Sequence, residues 1–298
     1  MKNSGIAALC VVAAASLWGL IGLFTRSLAG AGLSPIEIAE VRCSVTAACV
    51  LVILAAFDRK LLRISVRDVW MFVGTGALSI ALFNVLYFTA TTMLTLSMAA
   101  VLLYTAPCFV MLMSAAVFKE KVTRKKALAL GAAFLGCALT AGVVGGVGSI
   151  DAVGIAVGVG SGLGYAMYSI FGKIALRKYH PFTITFYTFL VAALCLLPFS
   201  DVSNIASAAV SGSAPMMLSL GVVVTLVPYF LYTYGLSRMD AGKAAVLAFV
   251  EPMVATLVGF ALFGESPGMP ELAGIALILA SVVLLNAGSE MTSEQHED

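Results

Sequence analysis

Residues 99–120 read AAVLLYTAPCFVMLMSAAVFKE, and residues 244–265 read AAVLAFVEPMVATLVGFALFGE. At a constant shift of 145, Ala99-Ala100-Val101-Leu102 returns as Ala244-Ala245-Val246-Leu247, Pro107 as Pro252, and Phe118-Lys119-Glu120 as Phe263-Gly264-Glu265. Upstream, Leu86-Tyr87 returns as Leu231-Tyr232 in the same register. A shared register over this distance marks an internal repeat. Each stretch is apolar and long enough to cross a hydrocarbon core about 30 Å thick, which takes roughly 20 helical residues. An odd number of spans per copy would place the second copy upside down in the bilayer, a construction used by many secondary transporters.

Working outward, composition agrees with a membrane setting. The 298 residues are 61% hydrophobic and 11% charged, with a mean hydropathy of +1.06. So little polar surface cannot cover a water-soluble globule. The formal net charge of +2, dispersed over helix ends, argues against a nucleic-acid partner. Apolar stretches predict ten helices near residues 5–25, 36–57, 68–90, 96–118, 126–146, 152–173, 182–200, 214–236, 243–263 and 271–288. The expected fold class is an all-α integral membrane protein of ten transmembrane helices in two inverted five-helix repeats. The repeats divide as residues 1–149 and 150–288, leaving 289–298 as an acidic cytoplasmic tail expected to be disordered.

Lysine and arginine placement orients the ten helices. With the amino terminus inside, Lys2, the Arg59–Arg67 set, the Lys119–Lys126 set, Lys173, Arg177, Lys178, Arg238 and Lys243 all fall on the cytoplasmic side. That is fifteen cations against Arg26 alone outside, with Arg42 inside a span. Both termini are then cytoplasmic and the protein is expected in the cell (plasma or inner) membrane. The first apolar run, Ile6 to Phe24, has the look of a signal peptide. Trp18, Phe24, Arg26 and Pro35 nonetheless map onto Tyr165, Phe171, Lys173 and Pro181 at shifts of 146 or 147, so the segment is expected to be retained.

Cys10, Cys43, Cys49, Cys108, Cys137 and Cys195 lie in apolar runs without a Cys-x-x-Cys pair, so they read as packing residues, and neither metal nor cofactor is expected. The glycines from Gly154 to Gly164 contain no complete Gly-x-Gly-x-x-Gly and sit within a span, where close helix packing explains them better than a phosphate loop.

Charges at membrane depth cost about 2.5–3.5 kcal/mol each on insertion scales and therefore ask for a reason. Arg42 lies two turns into the second helix, and Glu251 lies near the middle of the ninth. The repeat puts Tyr187 opposite Arg42 and Ala106 opposite Glu251, so each charge belongs to one copy only. Both are candidate substrate-binding residues. The alternatives are an Arg42 ion pair with Glu37 or Glu40 or snorkelling to the interface, and a protonated Glu251 held by a neighbouring hydroxyl. Pro107 and Pro252 interrupt equivalent helices, as Pro228 does the eighth, whose counterpart is Phe83. Freed carbonyls in lipid need partners, which places interrupted helices beside protein or a cavity. Trp18, Asn84, Tyr87, Tyr104, Tyr165, Tyr168, Tyr229 and Tyr232 lie at similar depths and are further candidates, against the alternative of plain packing or interfacial anchoring.

These residues carry a resemblance to a known group. Leu17-Trp18-Gly19, Ser34-Pro35 followed by Arg42, and Glu251-Pro252 running to Phe263-Gly264-Glu265 and Gly274, with Pro107 and Phe118-Lys119-Glu120 in the first copy, resemble the EamA group of the drug/metabolite transporter superfamily. The resemblance implies ten helices, a central cavity lined by helices 1 to 4 and 6 to 9 with helices 5 and 10 peripheral, and export of amino acids or other metabolites. Glu120 and Glu265, at helix ends, then read as caps. The expected function is a secondary transporter, an exporter of small metabolites such as amino acids, working by alternating access around a midplane cavity. Its partners are the lipid bilayer and a small-molecule substrate, with proton coupling through Glu251 as one option. The alternatives are a non-transporting structural or sensory membrane protein and, last, an intramembrane enzyme, for which His180 and His296 are wrongly placed. A phosphorylated substrate would want several converging cations, and only Arg42 lies within a span.

Overall fold

A computed structural model describes residues 2–94, 96–141, 152–263 and 268–286 of the chain. The described residues are helical throughout, apart from short turns. Eight segments are long and apolar enough to cross a membrane by length and composition. In chain order with two shorter helices they are α1 (Gly5–Gly30), α2 (Pro35–Phe57), α3 (Val66–Met93), α4 (Met98–Phe118), α5 (Arg124–Thr140), α6 (Ala152–Ala175), α7 (Pro181–Phe199), α8 (Val202–Leu236), α9 (Ala241–Leu262) and α10 (Met269–Asn286). The predicted acidic tail, Asp151, Gly264, Glu265 and the expected end of the fifth helix lie outside the described residues.

The starts and stops have local causes. Ser34 accepts from the Glu37 amide at 3.3 Å while the Glu37 carboxylate accepts from the Ser34 amide at 2.6 Å, and Pro35 opens α2 behind this capping box. Thr123 accepts from the Lys126 amide to start α5, and Lys119, in the left-handed region at φ 58°, ends α4. α4 breaks between Leu103 and Ala106, and α9 between Leu247 and Val250, each just ahead of its proline. In the second break the Ala248 carbonyl, which Pro252 leaves without its helical donor, is taken by the Glu251 amide at 3.0 Å.

Several boundaries differ from the sequence expectation. α8 begins twelve residues before the expected 214, because Asp201 caps a turn over Val202–Ala208 and Gly212 (φ 106°) then kinks the chain before the helix resumes at Ala214. α1 is broken after Trp18 and continues to Gly30. α3 and α8 both carry π-helical stretches, Gly74–Ala81 and Val222–Leu226. Pro228 follows the second stretch, but Phe83 stands at the matching place after the first, so proline is not required for the distortion.

Each helix finds its principal packing partners in the other half of the chain: α1 on α8, α2 on α7, α3 on α6 and α7, α4 on α6 and α9, α5 on α10. Small residues permit the closeness. A Cβ on Gly221 would run into Val45, and one on Gly76 into Val191, and these contacts sit at shifts of 145 and 146 from each other. In the α5–α10 contact, a Cβ on Gly136 would lie 2.7 Å from the Gly274 carbonyl oxygen, and one on Gly274 2.6 Å from that of Gly136. Large apolar side chains such as Val52, Leu112 and Leu128 are about two-thirds exposed, a surface that suits lipid rather than water.

The loops α2–α3, α4–α5, α6–α7 and α8–α9 gather at one end. Lys178 pairs with Asp68 at 2.7 Å and Tyr179 donates to the same carboxylate, while the Ser65 amide donates to Tyr179. The Asp68 carboxylate raises the Lys178 pKa above its ordinary value. Lys126 pairs with Asp240, and Lys173 with Glu120 at 2.6 Å.

Candidate functional site

The breaks in α4 and α9 face a central cavity whose empty space, its open mouth included, is about 490 Å³. α1 supplies Trp18, α6 supplies Tyr165, Tyr168 and Ser169, and α8 supplies Tyr229 and Tyr232. The broken helices add Tyr104, Ala106, Pro107 and Val110 from α4, and Ala245, Ala248, Phe249 and Glu251 from α9.

Repeat-related positions meet across this space. Trp18 and Tyr165 both line it, and so do Tyr104 and Phe249, whose ring centroids are 6.1 Å apart. Ala106 and Glu251 are the next matched pair, and here the halves part: one offers a methyl group and the other a carboxylate. Glu251 is the one charged residue in the lining, and among the described residues no cation lies within ion-pair distance of it. The Tyr165 hydroxyl approaches its Oε2 at 3.4 Å, and the Tyr104 hydroxyl faces the same carboxylate.

The rest of the wall is tied together by hydrogen bonds and ring contacts. Tyr168 and Thr233 share a hydrogen bond of 2.6 Å, Tyr232 and Ser169 one of 2.8 Å. Trp18 packs on Tyr229 and Tyr232 at 5.1 and 5.4 Å, and Tyr168 meets Tyr229 edge-on at 5.0 Å. Behind them, Phe189 of α7 supports Tyr229 at 4.8 Å and Phe83 of α3 supports Tyr165 at 5.4 Å. Tyr229, although in the lining, is only 2% exposed.

The structure thus brings together Trp18, Tyr104, Tyr165, Tyr168, Tyr229, Tyr232, Glu251 and Pro107. Arg42, Asn84, Tyr87, Pro228 and Pro252 lie outside the lining. Arg42 forms no ion pair with Glu37 or Glu40: Glu37 is taken by Ser34 and Asn204, and Glu40 accepts from Ser44. Its guanidinium carbon instead stands 5.8 Å from the Tyr229 ring centroid, with Nε buried and unpartnered. Asn84 donates to the Ile80 carbonyl of its own helix at 2.6 Å, and Tyr87 packs beside Phe88. α2, α3 and α7 therefore back the wall rather than form it, a narrower lining than the resemblance implied, and α5 and α10 contribute none of it. Ser169 and Phe249 join the lining without having been singled out. Ser169 lies four residues after Tyr165 on the same helix face, and Phe249 is the repeat mate of Tyr104.

Comparison with known proteins gives concordant results. The model of the EamA-like transporter family matches residues 5–142 and again residues 152–287. An uncharacterized transporter of Archaeoglobus fulgidus is 38% identical over 131 residues, 44% of this chain and 47% of that protein. The threonine/homoserine exporter RhtA of Salmonella typhimurium is 27% identical over 144 residues, 48% of this chain and 47% of that protein. The chain spans about half the length of the curated relatives it matches. A protein crystal structure superposes with a TM-score of 0.78 at 18% identity, covering 94% of this chain and 96% of that one, a likeness of fold.

Proposed function

Because the chain belongs to the EamA-like transporter family, and so is a multi-pass membrane transporter, we propose that it exports small amine-bearing metabolites, amino acids among them, by alternating access around the Glu251 cavity. The observation that carries this reading is a single carboxylate, without an ion-pair partner, in the broken turn of α9. A buried charge of that kind is costly unless something binds it. In the exchange we infer, Glu251 holds either the substrate ammonium or a proton, so that the two compete and a proton gradient drives export. We also infer ten spans in two inverted repeats, residues 1–149 and 150–288, with α5 and α10 crossing despite their shorter length and both termini cytoplasmic in the inner membrane. The doubled family match and the cross-half packing support the repeats. The gathering of the basic loops at one end supports the orientation.

The test is efflux from proteoliposomes loaded with amino acids, amines, nucleosides and organic acids, with and without an inward-directed proton gradient. Amine-bearing solutes should leave faster with the gradient. Glu251→Gln, which keeps the shape and loses the charge, should cut that efflux at least about tenfold. Gradient-driven export by Glu251→Gln protein equal to wild type would remove the carboxylate from the mechanism.

A further inference from the structure

We propose that the cavity recognises an organic cation: the substrate is read through its ammonium head and apolar body, and a substrate carboxylate is not read at all. This deepens the transport reading and rests on it only for the way the substrate enters. Glu251 is the sole formal charge in the lining, and neither Lys nor Arg joins it there. Seven of the fourteen lining residues are aromatic, and a cation beside an aromatic face gains about 0.5–2 kcal/mol per contact.

The polar groups of that wall are mostly committed. The hydroxyls of Tyr168 and Tyr232 are engaged with Thr233 and Ser169, so what these residues offer an occupant is their rings. The Tyr165 hydroxyl is turned to Glu251. A substrate carboxylate would have to share the cavity with the Glu251 carboxylate, while Arg42, whose charge acts on Glu251, stands outside the lining beside the Tyr229 ring, 5.8 Å from its centroid. Like charges in a poorly solvated space repel strongly, so an added carboxylate weakens binding. The Trp18 indole nitrogen is buried without an acceptor.

The experiment uses four probes with one shared body: 2-phenylethylamine, its N-trimethylated quaternary form, phenylalanine and 3-phenylpropionate. Trp18 and Trp70 are the two tryptophans of the chain, so Trp70→Phe protein in detergent reports binding through Trp18 fluorescence alone. Both cations should bind at least about tenfold more tightly than phenylalanine, and 3-phenylpropionate should not bind at millimolar concentration. Glu251→Gln should lower the affinity for the quaternary probe at least tenfold, and Glu251→Asp, which restores the charge, should recover part of it. Phenylalanine or 3-phenylpropionate binding as well as the amines, or no binding of either cation, overturns the proposal. Proteoliposome flux with the same probes separates the two readings. Cations that bind but do not cross defeat the transport reading and leave the recognition standing. Flux of phenylalanine without binding or flux of the amines defeats the recognition and leaves transport standing.

Discussion

At the scale of single residues, the wall separates hydroxyls that hold the protein together from those that face the occupant. Tyr168→Phe strands buried Thr233 and should cost about 1–3 kcal/mol, read as a lower unfolding temperature in detergent. Tyr165→Phe removes only a 3.4 Å approach, so stability should stay within about 0.5 kcal/mol while substrate affinity changes. Asp201 responds to pH. Hydrogen bonds from the Ser203 side chain and the Asn204 and Ser203 amides hold its carboxyl below the ordinary 3.8. A lowered folded-state pKa stabilises above the unfolded value and is lost as pH falls through the folded one. Amide exchange over Val202–Ala208 should therefore show that turn opening first below about pH 4, and Asp201→Asn should flatten the response. Much of the site was legible at this scale. Depth in an apolar run singled out Glu251, and helical spacing singled out the tyrosines. Asn84 misled because a polar side chain within a helix can be satisfied by its own backbone four residues back, which sequence does not distinguish from a cavity partner.

At the scale of elements, one loop of the first half starts a helix of the second. Glu120 accepts from the Ala241 amide at 3.0 Å and the Gly242 amide at 3.3 Å, and Lys173 of α6 donates to the same carboxylate and to the Met239 carbonyl. A carboxylate at a helix N-terminus meets both free amides and the positive end of the dipole. Glu120→Ala should destabilise by about 1–3 kcal/mol and raise thiol labelling of an Ala241→Cys reporter, whereas the same change at exposed Lys121 should do neither. The α5–α10 contact makes a second prediction. Gly274→Leu must displace the Gly136 carbonyl and should cost about 1–3 kcal/mol or prevent folding, measured by thermal stability and yield. The interrupted turns of α4 and α9 were legible because proline names its own position. The π-helical stretches were not, since the first is followed by Phe83 and the second by Pro228, and the threonine and leucine they share are ordinary in membrane helices. The early start of α8 was hidden by its polarity, although Asp201 ahead of Val202-Ser203-Asn204 is a capping signal.

At the scale of the molecule, the twofold pattern readable in residues 99–120 and 244–265 becomes a set of packed pairs, and every principal pair joins one half to the other. The clustering of the basic loops makes a topological prediction. Cysteines replacing Lys60, Lys121, Lys178 and Arg238 should all react with a membrane-impermeant thiol reagent from the cytoplasmic side, and one replacing Ser203 from the opposite side. Reaction of the four from different sides would contradict the bundle. The cross-half pairing also governs how the protein comes into being. As the ribosome releases α1 to α5, the faces bearing Gly76 and Gly136 have no mate yet in existence, and their counterparts Val191 and Gly274 are still to be translated. The nascent half must wait in the bilayer, screened by lipid or by the insertion machinery, and the bundle can close only when α10 emerges. A pause in translation after α5 would lengthen the interval in which a quality-control protease can find it.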